Sequence, residues 1–251
     1  MSDKIAVVGA GPSGIMAAGF AGARGKDVVL VEKNEKIGKK LYITGKGRCN
    51  ITNNLPIEDF FDYIITNNNF LYSALYGFTN EDLLKLLHGY GLKTKVERGD
   101  RVFPTSNKSS DVIKTLEKFL HDNNVSVRLN TQVKDINYTG NSFTIRYSNN
   151  NEEKFDSIII ATGGKSYPTT GSTGDGYCFA KKLGHTIVPL KPALVPCEVE
   201  EAWIKELQGL SLKNVNLSTY INGKKYCEEF GEMLFTHFVM AGPIVVSTSN
   251  K

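Results

Sequence analysis

The chain has 251 residues and 41% hydrophobic content, enough for one large domain or for one domain and part of another. Its formal charge of +4 is spread along the sequence, which argues against a nucleic-acid partner, and no apolar run is long enough to span a bilayer. The cysteines (Cys49, Cys178, Cys197, Cys227) form no C-x-x-C and the histidines no H-x-x-x-H, so neither a metal site nor a redox disulfide is expected. No cleavable leader precedes the first apolar run, and the cytoplasm is the simplest location.

Residues 5–32 carry the most information. An apolar run, Ile5 to Val8, ends in Gly9-x-Gly11-x-x-Gly14. A small-residue helical stretch follows, then a second apolar run, Val28 to Val31, closed by Glu32. Strand, glycine turn, helix, strand and acid is the order of a dinucleotide-binding unit. Gly9 permits the tight turn, Gly11 a close approach of backbone N–H groups to a diphosphate, and Gly14 the packing of helix on sheet. The helix N-terminus supplies partial positive charge. The Glu32 carboxylate can accept hydrogen bonds from ribose hydroxyls.

The next segment, 33–53, mixes glycines, lysines and Arg48 with hydroxyl and amide side chains. It reads as a loop unable to build a core but able to wrap a phosphorylated ligand. Residues 57–90 read as mostly helical, with Thr79 or Asn80 as a cap. An irregular strand pair is expected over 91–107 and a helix from Ser110 to Asp122, with Val112, Ile113, Leu116, Phe119 and Leu120 on one face. Short strands at 125–129, 133–138 and 143–147 suggest an antiparallel meander inserted into an α/β sheet. The segment Phe155 to Gly164, with four consecutive apolar residues and then Thr162-Gly163-Gly164, reads as a buried parallel strand whose end meets a ligand. It is no Walker A loop, because Ile159 stands where the first glycine is required. Tyr167 to Gly176 places glycine and hydroxyl residues before a helix expected over Tyr177 to Leu183, again suited to a polar or anionic ligand. From Lys191 onward the pattern becomes β-rich, so the expected domains are 1–190 and 191–251.

The motifs G-A-G-P-S-G, T-G-K-G-R-C-N-I-T-N, R-V-F-P-T-S, A-T-G-G-K-S-Y-P, G-S-T-G-D-G-Y and F-T-H-F-V-M-A-G-P occur together. In this combination the sequence resembles the bacterial NAD(P)/FAD-dependent oxidoreductases of the aminoacetone oxidase family. The resemblance implies a two-dinucleotide-binding flavoprotein fold: a Rossmann-like α/β FAD domain with an inserted antiparallel meander and the start of a β-rich second domain. It implies that Gly9, Gly11, Pro12, Ser13 and Gly14 receive the FAD diphosphate and that Glu32 holds the adenosine ribose. Lys33, Lys40, Arg48, Cys49 and Asn50 would line the path to the flavin. Val133 would lie by the adenine, and Thr162 and Gly163 beside the cofactor. Family members are longer, so the chain is expected to be a C-terminally truncated member.

The function these features imply is hydride transfer through the flavin between a small organic substrate and NAD(P)H or oxygen. No catalytic residue is assigned; Tyr167, His237 and Cys49 qualify by chemistry alone. Cys49 reads first as a small packed residue, with Lys46 and Arg48 only opening a route to a lowered pKa, and His237 reads first as a hydrogen-bonded structural residue. Three other readings stand beside it: an NAD-dependent dehydrogenase, a catalytically silent cofactor-binding fragment, and a flavoprotein acting on RNA. The scattered charge disfavours the last. Oligomeric state has no signature in the sequence.

Overall fold

The computed structural model describes residues 3–251. β1 (Lys4–Val8) and β2 (Asp27–Val31) are short β-branched runs that pair in parallel, from Lys4 opposite Asp27 to Val8 opposite Val31. Neither alternates polar with apolar residues, because both faces of the sheet are covered. α1 (Pro12–Ala23) joins them, with Pro12 at its first position, where a missing N–H costs nothing. α2 (Lys39–Gly47) breaks at Thr44–Lys46, where the backbone leaves the helical region. Far from being wholly solvated, the 33–53 segment contributes Ile37 and Cys49 to the core, with Leu41 and Ile51 packed against it.

β3 (Thr52–Asn53), β4 (Thr94–Glu97) and β5 (Arg101–Pro104) make a small antiparallel sheet in the order β3-β5-β4. Between β3 and β4 lie α3 (Tyr72–Gly77) and α4 (Asn80–Gly89). α4 opens on a reciprocal cap: the Asp82 N–H donates to Thr79 Oγ1, and the Thr79 N–H donates to the Asp82 carboxylate. α5 (Ser109–Asp122) buries Val112, Ile113, Leu116, Phe119 and Leu120 at helical spacing.

β6 (Ser126–Arg128) corrects one expectation. It belongs to the main sheet, parallel to β2, and not to the meander. The meander is β7 (Val133–Tyr138), β8 (Phe143–Tyr147) and β9 (Glu152–Phe155). β10 (Ser157–Ile160) returns to the main sheet, whose order is β10-β1-β2-β6. It pairs with β1 at one end of that sheet and exposes Ser157 and Ile159, so it is less buried than its apolar run suggests. α6 (Asp175–Lys182) follows. Val7, Val28 and Leu30 face α1 and α5; Ala6, Val8, Val29 and Val31 face the meander and Phe179 of α6. The result is three layers: helices, parallel sheet, meander.

The chain divides into two units, one formed by the residues up to Phe60 together with Leu71–Ile187, the other by Phe61–Phe70 and Val188–Lys251. The second holds β11 (Cys197–Glu198), β12 (Ser211–Ile221), β13 (Lys224–Phe235), β14 (Val239–Ala241) and α7 (Pro243–Thr248). Its antiparallel sheet runs β11-β14-β13-β12 around Ile204, Met233, Phe235, Ile244 and Val245. Asn222 and Gly223, both at positive φ, make the two-residue turn between β12 and β13.

Candidate functional site

The carboxyl ends of β1, β2 and β10 open onto one crevice in the first unit. Its walls come from the β1–α1 turn, from Glu32, Lys33 and Asn34 after β2, from Lys39 and Lys40 of α2, from Thr131–Val133 before and at the start of β7, from Ala161–Gly163, and from Thr170–Ser172 with Asp175. Crevices at this edge of a parallel sheet are where α/β folds bind ligands.

The glycines explain the turn. Gly9 has φ +103, and a Cβ there would lie 2.5 Å from the Ala161 carbonyl oxygen. A Cβ on Gly14 would lie 1.8 Å from the Gly9 carbonyl oxygen, so α1 can approach the turn only as glycine. Gly11 is different: it lines the crevice, and a Cβ there would meet nothing within 4 Å of the protein. That open space lies at the N-terminus of α1, which has neither a side-chain cap nor an acidic residue in its first turn. The free N–H groups and the positive end of the helix are therefore left for an anion.

Glu32 is 8% exposed, and its carboxylate is held on both oxygens. The Ala10 N–H donates to Oε2 at 2.8 Å. The Asn34 N–H and side-chain Nδ2 donate to Oε1 at 2.9 and 2.7 Å. Around the crevice, Lys33 Nζ reaches Thr173 Oγ1 at 2.7 Å and Asp175 Oδ2 at 2.8 Å. Lys40 Nζ donates to the Ser166 carbonyl at 2.7 Å.

Of the residues singled out in the sequence, the crevice is lined by Gly9, Gly11, Pro12, Ser13, Glu32, Lys33, Lys40, Val133, Thr162 and Gly163. Gly14 sits behind the turn. Arg48, Cys49 and Asn50 do not line it. Arg48 pairs with Glu97 and with Asn107, its guanidinium 4.2 Å from the centre of the Phe103 ring. Cys49 is fully buried and lines a neighbouring apolar pocket of about 630 Å³ between α1, α4 and α5, which meets the crevice at Pro12 and Ser13. Burial pushes the Cys49 thiol up, against the lowering that Lys46 and Arg48 suggested. Tyr167 is exposed and His237, in the second unit, hydrogen-bonds Gln208. The sequence reading did not pick out Asn34, Lys39 or Asp175 individually. All three belong to segments already read as ligand-facing, 33–53 and the glycine and hydroxyl stretch 167–176; the particular role of Asn34 gave no signal, because it depends on a carboxylate two residues earlier.

Curated relatives and solved structures are similar to this chain. The 3-dehydro-bile acid delta(4,6)-reductase of Clostridium scindens is 32% identical over 96% of this chain and 58% of its own length. The ribosomal RNA dihydrouridine synthase of Escherichia coli is 31% identical over 97% of this chain and 60% of its own. The chain thus spans about three-fifths of the length of either. The open conformation of a flavocytochrome c3 fumarate reductase superposes with a TM-score of 0.57 at 20% identity, over 85% of this chain and 47% of that one. Thermovibrio ammonificans THI4 superposes with a TM-score of 0.51 at 13% identity, over 99% and 79%. These two establish the Rossmann-type α/β fold. Among the described residues no helix is long and apolar enough to cross a membrane. The family model for the HI0933-like protein Rossmann domain matches residues 3–242, and the chain belongs to that family.

Proposed function

We propose that the chain binds FAD in this crevice and serves an oxidoreductase that adds hydrogen across an activated carbon–carbon double bond of a small molecule, with NAD(P)H as electron donor. The observation that carries the reading is the space beside Gly11 at the uncapped end of α1, on the same crevice as Glu32. Backbone N–H groups of Gly11, Ser13 and Gly14 bind the diphosphate. Glu32 accepts from the ribose, and Val133 and Phe179 give the adenine an apolar wall. Lys40 brings a cation toward the phosphates. Bound FAD supplies hydride-transfer chemistry; the protein supplies position and electrostatics.

The relatives support the reaction class. One is named for reducing delta(4,6) unsaturation and the other for making dihydrouridine, and both names describe hydrogen added to a ring double bond. The aminoacetone oxidase likeness of the motifs supports flavin chemistry in general. The spread of charge favours a small substrate over RNA.

The test is reconstitution. The purified protein is incubated with FAD, dialysed, and read by visible absorbance and thermal melting. Retained flavin colour and a raised melting point support the reading. Anaerobic bleaching by NADH or NADPH then identifies the donor. A conjugated cyclic enone and ribosomal RNA are offered in parallel. Turnover of the enone supports a small substrate, and dihydrouridine in the RNA would replace it. No retained FAD and no melting shift would refute the cofactor assignment.

A further inference from the structure

We infer that Asn34 is a positioning residue which locks the Glu32 carboxylate so that it offers one hydrogen-bond acceptor, on Oε2, to a single ribose hydroxyl. The inference rests on the proposed FAD site and adds to it a rule for reading the sugar.

A carboxylate has about four lone-pair positions on its two oxygens. Three are used within the protein. Asn34 takes two of them on Oε1, through its main-chain N–H at 2.9 Å and its Nδ2 at 2.7 Å. The Ala10 N–H takes one on Oε2 at 2.8 Å. Oε1 is therefore saturated, and the remaining position belongs to Oε2, beside the glycine turn.

The Asn34 amide is itself anchored on every side. Its Nδ2 also donates to the Thr170 carbonyl at 3.2 Å, and its Oδ1 accepts from Lys39 Nζ at 3.4 Å. Its main-chain oxygen accepts from the Asn130 N–H at 2.9 Å. Chemistry fixes the orientation: turning the amide over would set Oδ1 against the Glu32 carboxylate and Nδ2 against the Lys39 ammonium. The opposite wall makes room for it, since a Cβ on Gly171 would lie 2.5 Å from Nδ2. With the carboxylate unable to turn, one sugar hydroxyl is recognised and its neighbour is not.

Calorimetric titration with ADP, 2′-deoxy-ADP and 3′-deoxy-ADP tests this on the full chain. For the wild type, one deoxy analogue is expected to bind about tenfold more weakly than ADP, as for loss of a hydrogen bond to a charged group, and the other within about twofold. Asn34→Ala removes the Nδ2 contact alone and keeps the two main-chain donors on the carboxylate; it is expected to bring both analogues within about threefold of ADP, because the position opened on Oε1 lets the carboxylate accept from whichever hydroxyl is present. Asn34→Asp keeps the size and replaces the donor by a second carboxylate; it is expected to lose the discrimination as well, and it serves where the alanine variant does not fold. In a Glu32→Ala background, Asn34→Ala is expected to cost nothing further, the signature of a residue acting through another. A wild-type discrimination ratio in both Asn34 variants overturns the inference, as does a wild type that penalises both analogues equally. A wild type that binds neither ADP nor FAD overturns the cofactor assignment itself, and this inference with it.

Discussion

Lys33 Nζ lies 2.8 Å from Asp175 Oδ2, an ion pair on the crevice wall that ties the segment after β2 to the first turn of α6. Each partner is less than one-third exposed. Burial pushes the Asp175 carboxyl up, but the hydrogen bonds from Lys33 and Thr173 and the Lys33 charge outweigh it, and the net shift is downward from 3.8. A carboxyl lowered on folding contributes stability above its unfolded value, and this is lost as pH falls through the folded value. The pair is therefore intact at neutral pH and dissolves only in acid.

That pairing sets two substitutions against each other. Lys33→Ala leaves an unpaired carboxylate on the crevice proposed for FAD and is expected to weaken FAD binding about tenfold, of the order of one charge-assisted contact. Asp175→Asn frees the ammonium for the phosphates, and FAD is expected to bind at least as tightly as in the wild type. Fluorescence titration of FAD into each variant reads the sign. Equal weakening in both would show that the pair acts only as a structural tie.

Glu153 makes the sharper acid prediction. Burial pushes its carboxyl up, but hydrogen bonds from Arg128, Lys4 and the Tyr147 hydroxyl bring it down to about 2. Its side chain is 20% exposed, so the network is only partly screened by solvent. Glu153→Gln leaves Arg128 and Lys4 without their anion and is expected to cost about 2 kcal/mol at neutral pH. The shift is downward from 4.5, so the wild-type advantage is full above that pH and disappears as pH falls toward 2. Urea midpoints of the two proteins, measured across that range, should converge at the acid end. A constant offset would mean that packing, and not charge, carries the cost.

The parts of this site that were legible in the sequence are those whose physical reasons are local. A glycine that must sit at φ +103 against a neighbouring strand, and an acid at the end of the next strand, keep fixed positions relative to their own elements. The illegible parts depend on long-range pairing. Lys33 meets Asp175 across 142 residues, and no spacing announces that. β6 was misplaced because a three-residue strand carries too little pattern to tell a parallel partner from an antiparallel one. Cys49 follows its first reading as a small packed residue: Lys46 and Arg48 are near it in sequence, but Arg48 turns to Glu97 and Asn107 while the thiol goes into the core.

Cys49 accordingly should behave as a packed residue. Its thiol is fully buried and pushed up by desolvation, whereas Cys178 on α6 is exposed. The thiolate is the reactive form, so both access and ionisation protect Cys49. In the folded protein, iodoacetamide is expected to label Cys178 well before Cys49, with Cys49 modified only on unfolding. Peptide mass spectrometry over a labelling time course gives the order. Early labelling of Cys49 at neutral pH would contradict the buried placement and reopen a nucleophilic role.

The two glycines of the turn separate folding from binding. Gly9 has φ +103 and no room for a Cβ, so Gly9→Ala forces backbone strain and a clash with the Ala161 carbonyl. It is expected to destabilise the fold by about 1–3 kcal/mol whether or not cofactor is present. Gly11 has φ −76 and ψ 179, a conformation open to any residue, and its Cβ would meet no protein atom within 4 Å. Gly11→Ala should therefore leave the melting temperature of the cofactor-free protein unchanged or slightly higher, since alanine restricts the unfolded chain more than glycine does. The same methyl projects into the space assigned to the diphosphate, and FAD affinity is expected to fall at least about tenfold, the loss of roughly one well-placed backbone hydrogen bond to a charged group. Thermal melts of both variants with and without FAD separate the cases. If Gly11→Ala binds FAD as the wild type does, the diphosphate does not lie against this turn, and the crevice must hold its ligand another way.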